Sequence, residues 1–183
     1  MNKIFVFFLV VLTGCATAKA PMRYDFGPVA KTSVTCKPLQ LTVRAQNPWD
    51  SQEIHYRLWH NPKVLYSYTQ SLWSKDPSSL VSDAILERYY EKCRSLSYLP
   101  ALRLEIVEFS HVFESANQSH GWVVADVFWH DRQAVFSRRI SAQTVAVTAD
   151  AEGGVEALHQ ASLLLADDVL QWLQHRPTKQ PIQ

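Results

Sequence analysis

Residues 76–106 read DPSSLVSDAILERYYEKCRSLSYLPALRLEI, and the spacing of the apolar residues changes within this stretch. Asp76 and Pro77 suit an N-cap and a first helical position, and the apolar residues after them recur at helical spacing. These residues are Leu80, Ala84, Ile85, Tyr89, Cys93 and Leu96. After Pro100 the apolar residues alternate with polar ones, which is the period of a half-buried strand, at Leu102, Leu104 and Ile106. A helix followed by a strand is therefore predicted.

Alternation predicts further strands on both sides of this stretch. Upstream, a strand at Leu39–Ala45 ends at Asn47-Pro48, and a hairpin with a four-residue loop at His60–Lys63 follows. The hairpin strands are Glu53–Trp59 and Val64–Trp73. The downstream strands and turns are Leu102–Ile106, Asn117–Gly121 (turn), Val123–Trp129, His130–Gln133 (turn) and Ala134–Val147.

A second long helix begins around Gly153-Gly154, carries one apolar stripe through Leu173, and is ended by Pro177. The predicted order of elements is β-β-β-α-β-β-β-α. Hairpins with helices between them indicate an α+β domain with a mostly antiparallel or mixed sheet and two long helices packed on it.

The N-terminus has the composition of a secretory signal peptide. Lys3 is followed by an uninterrupted apolar run, Ile4–Leu12. As a helix this run rises only about 14 Å, roughly half the hydrocarbon thickness of a bilayer, so it is too short for a permanent transmembrane span.

The residues Leu12-Thr13-Gly14-Cys15 that follow resemble a bacterial lipobox. This resemblance implies that residues 1–14 are removed and that Cys15 carries covalent lipid, the only prosthetic group expected. Two or more acyl chains on one cysteine are sufficient to anchor a protein stably to a membrane. Ala16-Thr17 contains no aspartate to retain the protein at the inner membrane, which predicts the periplasmic face of the outer membrane.

The chain after Cys15 is long enough for one domain with a proper core. Residues 15–37 show no clear periodicity and are interpreted as a lipidated tether that can gain local order around Tyr24–Pro28. The domain is assigned to residues 38–176 and a polar tail to residues 177–183.

Net charge argues against two classes of partner. The whole chain has 18 basic and 17 acidic side chains, and loss of Lys3 with the signal peptide leaves 17 of each. Zero net charge argues against binding to nucleic acid, which requires a clustered basic surface, and equally against a polybasic membrane patch.

Two cysteines remain besides Cys15, namely Cys36 and Cys93. In an oxidising periplasm they can form a disulfide. Alternatively, Cys93 is a small apolar residue on a helix face and Cys36 is free.

Motifs for catalysis are missing from the sequence. There is no G-x-S-x-G, H-E-x-x-H, C-x-x-C or Walker-type loop, and the seven histidines are scattered, so no metal site is predicted. A triad of Ser110, His111 and Asp126 is conceivable, but neighbours in a strand point to opposite faces. We therefore expect no enzymatic activity, with a hydrolase of unrecognised site as a less favoured alternative.

Six aromatic residues fall within the first sheet segment, too many to share one core face: Trp49, Tyr56, Trp59, Tyr66, Tyr68 and Trp73. Alternation places Tyr66 and Tyr68 on one face, which suggests an interaction stripe beside Arg57. The alternative is that these aromatics pack under the helices.

Several blocks of the chain together resemble the ABC-type transport auxiliary lipoproteins, the PqiC-like family. The blocks, in order, are Arg23–Pro28, Ile54–Leu58, Tyr68–Trp73, Leu102–Phe113 and Ala149–Val155. The likeness extends over nearly the whole mature chain. Leu72 is a departure, because the family usually has Arg before the Trp.

The resemblance implies a non-catalytic outer-membrane lipoprotein that docks an MCE-domain protein of a lipid transporter and supports envelope integrity. It also implies a homo-oligomer, with a ring of copies as one hypothesis. Partner-binding candidates are Tyr24, Arg57, Tyr68 and Trp73, each of which can instead have a structural role. The competing hypothesis is a periplasmic scaffold or activator of cell-wall synthesis.

Overall fold

The computed structural model describes residues 19–28, 36–93, 100–131 and 134–174. Within them, seven strands form one mixed sheet and two helices accompany it, which confirms the predicted α+β class. The elements are β1 (Met22–Tyr24), β2 (Leu41–Ala45), β3 (Glu53–Leu58), β4 (Asn61–Trp73), α1 (Pro77–Lys92), β5 (Ala101–Phe113), β6 (Ser119–Asp131), β7 (Ala134–Val145) and α2 (Ala151–Gln174).

Strand β5 organises the sheet, whose order is β1-β4-β3-β5-β6-β7. One edge of β5 pairs antiparallel with β6. Its other edge is shared, because β2 runs parallel to the first half of β5 and β3 runs parallel to its end. The pairs Ala45↔Ile106 and Tyr56↔His111 mark where one partner stops and the next takes over.

The core lies between one face of the sheet and the helices. Helix α2 contacts β5, β6 and β7, while α1 contacts β2 and α2. Asp167 of α2 binds Lys92 of α1 at 2.6 Å and lies 3.6 Å from Arg88. Burial of apolar side chains is the main stabilising term here. The largest fully buried side chains include Trp73, Tyr89, Phe109, Ile54, Leu104, Leu158 and Leu165.

Carboxylates begin both helices. Asp76 is the N-cap of α1, as predicted, and accepts a hydrogen bond from the Ser79 amide at 2.8 Å. Asp150 does the same for α2 through the Gly153 amide at 2.9 Å. Helix α2 therefore starts at Ala151, slightly before the predicted start at Gly153-Gly154.

Strand β1 was not predicted as a strand. Met22–Tyr24 pairs in parallel with β4, from Met22↔Ser71 to Tyr24↔Trp73. Phe26 then stacks on His159 at 4.6 Å and meets Trp73 edge-on at 5.9 Å. The sheet and core thus include residues that the sequence assigned to the tether, and the folded region begins before Pro38. Three paired residues are too few to produce a readable alternation.

The β3–β4 hairpin is tighter than expected. Leu58 pairs with Asn61, so the turn is the two residues Trp59-His60 and not the four residues His60–Lys63. Register shifts on both sides of Tyr56↔Tyr66 place extra residues in β4. The four-residue loop is overstated because Asn61, Pro62 and Lys63, which have the composition of a loop, already belong to β4.

A disulfide joins Cys36 to Cys93, tying the chain before β2 to the end of α1. None of the helices in the described ranges is both long and apolar enough to cross a bilayer. The predicted signal peptide, the predicted lipidation site Cys15, the turn residues 132–133 and the predicted tail 177–183 lie outside the described residues.

Candidate interaction surface

Two of the four candidate residues, Tyr24 and Trp73, hold β1 on the sheet. They are register partners, and the Tyr24 carbonyl accepts the Ser74 amide at 2.7 Å. Trp73 is fully buried and its ring lies 5.7 Å from that of Phe109. The structure therefore gives both residues a packing role.

Tyr68 belongs to an aromatic group on the helix-covered face of the sheet. Its hydroxyl lies 2.9 Å from Nδ1 of His111, and its ring lies 4.6 Å from Tyr56. Tyr66 stacks on Tyr56 at 5.3 Å and Phe113 contacts His111 at 4.4 Å. These five residues are called the tyrosine–histidine cluster.

His111 is the buried polar centre of the cluster. Burial, followed by the nearby His120, lowers its pKa to about 4, although Asp150 opposes the shift. The imidazole is therefore neutral at neutral pH. Burial also raises the pKa of Tyr68, so its hydroxyl stays protonated and can donate to an unprotonated Nδ1. Nε2 of His111 is buried and makes no hydrogen bond within the described part of the chain.

The first turn of α2 covers this cluster. A Cβ added at Gly154 would lie 2.4 Å from Nδ1 of His111, so the helix backbone sits directly on the ring. Asp150, which caps this turn, has its pKa lowered mainly by the hydrogen bond from the Gly153 amide. The cluster fixes the position of α2 over the sheet.

The conceivable triad is not assembled. Ser110 lies on the opposite face from His111, and its Oγ makes no hydrogen bond to any described residue. Asp126 instead forms two hydrogen bonds with Arg139, both at 2.7 Å. Among the residues that the structure describes, no group of three His, Cys, Asp or Glu side chains could hold a metal ion.

Arg57 faces away from the tyrosines. It follows Tyr56 in β3, so its side chain projects from the face opposite the helices, called here the open face. There its guanidinium binds the Glu108 carboxylate at 3.0 and 3.2 Å and the Pro62 carbonyl at 3.3 Å. The predicted stripe of Tyr66 and Tyr68 beside Arg57 is therefore wrong, because these side chains lie on two faces.

Charged and aromatic side chains pair across the open face. The Arg103 guanidinium lies 4.6 Å from the centre of the Phe128 ring, and Arg139 binds Asp126. Trp122 donates from Nε1 to Ser141 Oγ at 3.0 Å. Both signs of charge are interspersed, which suits contact with a protein surface.

A groove of about 360 Å³ runs along the open face where the loop after β2 crosses β5. Its walls carry one basic and two acidic side chains beside apolar side chains that range from buried Trp49 to exposed Val107. They are formed by Arg44, Asn47, Trp49, Glu105, Val107 and Asp126, among others. Sequence reasoning missed the open face as a whole. Its residues Arg103, Phe128 and Arg139 come together only through the register of β5, β6 and β7.

Comparisons with known proteins give a likeness of fold. No family model matches the chain, and no curated protein matches it in sequence. A crystal structure of a Xanthomonas campestris protein of the DUF330 family superposes with a TM-score of 0.60 at 17% identity, covering 86% of this chain and 94% of that one. A crystal structure of an uncharacterised protein gives a TM-score of 0.66 at 8% identity, covering 84% and 98%. The chain therefore has the fold found in this DUF330 protein, along nearly the full length of both.

Proposed function

We propose that this protein is a non-catalytic lipoprotein that docks an MCE-domain protein of a lipid transporter at the periplasmic face of the outer membrane. The observation that carries the proposal is the position of β1. Met22 enters the sheet seven residues after Cys15 (22 minus 15), so a lipid on Cys15 would hold the domain against its membrane. Seven residues span at most about 25 Å.

The open face supports a protein partner. Its charged pairs are arranged across three strands, and a partner with complementary charges could exchange salt bridges with the exposed ones. Arg139 is the most accessible of these side chains, with 62% of its surface exposed. The block resemblance to auxiliary lipoproteins favours an MCE-domain protein as that partner.

No chemistry is assigned to the domain in this proposal. The covalent lipid on Cys15 serves only as a membrane anchor, and ATP hydrolysis belongs to the transporter. Two observations support a non-catalytic role. The sequence lacks the catalytic motifs named above, and Ser110 and His111 lie on opposite faces of the sheet, so they form no triad with Asp126.

The test is an in-cell crosslink and pull-down of the tagged full-length protein, with partners identified by mass spectrometry. The wild type should recover an MCE-domain protein from the outer-membrane fraction. Cys15→Ala should leave that fraction and recover less of the partner. Recovery of cell-wall synthases instead would replace the transport proposal with the scaffold hypothesis.

Two neighbouring arginines provide a matched pair for the open face. Arg139 lies on that face beside Asp126, whereas Arg138 pairs with Val127 and faces the helix side near Asp168. Arg139→Glu should reduce recovery of the partner several-fold, and Arg138→Glu should not. Equal recovery with both variants would remove the open face from the proposal.

A further inference from the structure

The tip of the β3–β4 hairpin, from Trp59 to Val64, exposes apolar side chains at one end of the sheet. Trp59 is 46% exposed and Val64 is 38% exposed, and neither joins the core. Pro62 and Lys63 between them are exposed as well. Of the tryptophans, all of which are in described ranges, Trp59 alone is exposed.

The direction of β1 relates this turn to the lipidated end of the chain. Because β1 is parallel to β4, its N-terminal end points toward the start of β4, which is the hairpin turn. The chain that enters the sheet at Met22 therefore comes from the side of Trp59. Met22 itself is 52% exposed on that approach.

The chain between Cys15 and Arg23 is long enough to reach the level of the hairpin turn. Arg23 is level with Leu72, which pairs with Glu53 at the start of β3. From Glu53 to Leu58 there are five steps of about 3.3 Å, which place the turn about 17 Å beyond Arg23. Eight steps separate Arg23 from Cys15 (23 minus 15), and they reach at most about 29 Å. The anchor can thus lie level with the turn.

We propose that the tip of the β3–β4 hairpin, from Trp59 to Val64, rests in the headgroup region of the same membrane that holds the lipid on Cys15. Tryptophan favours this region, where its apolar ring and polar N–H are both accommodated. Lys63 can place its ammonium among phosphates while its stem covers Val64. With two contacts, the domain would have a fixed orientation at the membrane. This inference rests on the proposed lipid anchor.

Fluorescence quenching tests the contact. Full-length lipidated protein is reconstituted into vesicles of phosphatidylethanolamine and phosphatidylglycerol, with or without brominated phosphatidylcholine. Bromine should quench part of the wild-type tryptophan emission, and Trp59→Phe should abolish most of that quenching. Equal quenching of wild type and Trp59→Phe would overturn the proposal.

A matched control places the fluorescent tryptophan at a different exposed position. Leu164 on α2 is 48% exposed, close to the value for Trp59, and lies about 15 Å further along the helix than Gly154. In the Trp59→Phe background, Leu164→Trp should add emission that bromine does not quench. If the indole introduced by Leu164→Trp is quenched as strongly as that of Trp59, a specific hairpin contact is contradicted.

Vesicle flotation separates the two proposals. If wild type floats with the vesicles, Cys15→Ala does not float, and Trp59 is unquenched, then the anchor stands and the hairpin contact is wrong. If wild type does not float, the anchor itself is wrong, and the hairpin inference is overturned with it.

Discussion

The backbone of Gly154 lies on the imidazole of His111, with room for hydrogen only. A methyl group at position 154 would come within 2.4 Å of Nδ1 and 2.7 Å of Cγ. The ring cannot retreat easily, because it is fully buried and Nδ1 is hydrogen bonded to Tyr68. This contact sets the distance between the first turn of α2 and the sheet.

Gly154→Ala should therefore destabilise the protein. Alanine gains about 1 kcal/mol of helix propensity, but overpacking against His111 costs about 1–3 kcal/mol, and relief requires α2 to shift. We expect a lower denaturation midpoint in urea. Asp168→Ala, exposed on the same helix, should not lower it.

Removal of the His111 ring should reduce the destabilisation caused by Gly154→Ala. In a His111→Ala background, Gly154→Ala should cost less than it does in the wild type, because the atoms that it would meet are gone. A Gly154→Ala protein as stable as the wild type would show that the contact is not restrictive.

Burial of neutral His111 predicts a loss of stability in mild acid. Its pKa is about 4 in the fold and about 6.5 in an unfolded chain, so the unfolded chain binds the proton first as the pH falls. Stability from this group is complete above pH 6.5 and declines as the pH falls from 6.5 to 4, by about 3 kcal/mol in all. Urea unfolding at several pH values measures it. His111→Gln should flatten the curve in this window, and an unchanged slope would exclude His111 as its source.

The Arg57–Glu108 pair should be far more important than the exposed pair on the same face. Side-chain exposure is only 19% for Arg57 and 11% for Glu108. Arg57→Ala leaves a buried carboxylate unpaired and should cost about 2–4 kcal/mol of unfolding free energy. The double variant Arg57→Met with Glu108→Leu should recover most of that loss. Arg139→Ala, which breaks the exposed pair with Asp126, should change stability little.

The disulfide should contribute strongly because it closes a long loop. Cys36 and Cys93 are separated by 57 positions, for which chain entropy gives about 4 kcal/mol. Cys36→Ser with Cys93→Ser should lower the urea midpoint accordingly. A reductant should lower the midpoint of the wild type to the same value and leave the double variant unchanged. Insensitivity of the wild type to reductant would argue against the bond.

Local signals were sufficient for most of the fold. The Asp76-Pro77 start of α1 and the alternation of Leu102, Leu104 and Ile106 were readable because cap chemistry and periodicity are properties of short segments. Strand β1 was not readable, since its stability comes from pairing with β4 nearly fifty residues away. Parallel pairing of β2 and β3 along one edge of β5 likewise depends on tertiary structure.

The site was less predictable than the fold. The Tyr68–His111 hydrogen bond joins residues 43 positions apart, and the Arg57–Glu108 pair joins residues 51 apart. Gly153-Gly154 indicated a helix start, yet the reason for Gly154 is the ring beneath it. Bulges in β4 and β5 changed which face each later residue occupies, so alternation could not assign the open face.

The parallel pairing of β1 with β4 also decides how the domain responds to tension. A pull on its N-terminal end is directed along β1, so the hydrogen bonds between Met22–Tyr24 and β4 are loaded in shear and must break together. After β1, Phe26 packs against Trp73 and His159, and these contacts would also have to break before the chain could leave the domain. The point at which the chain joins the sheet is thus a mechanical clamp.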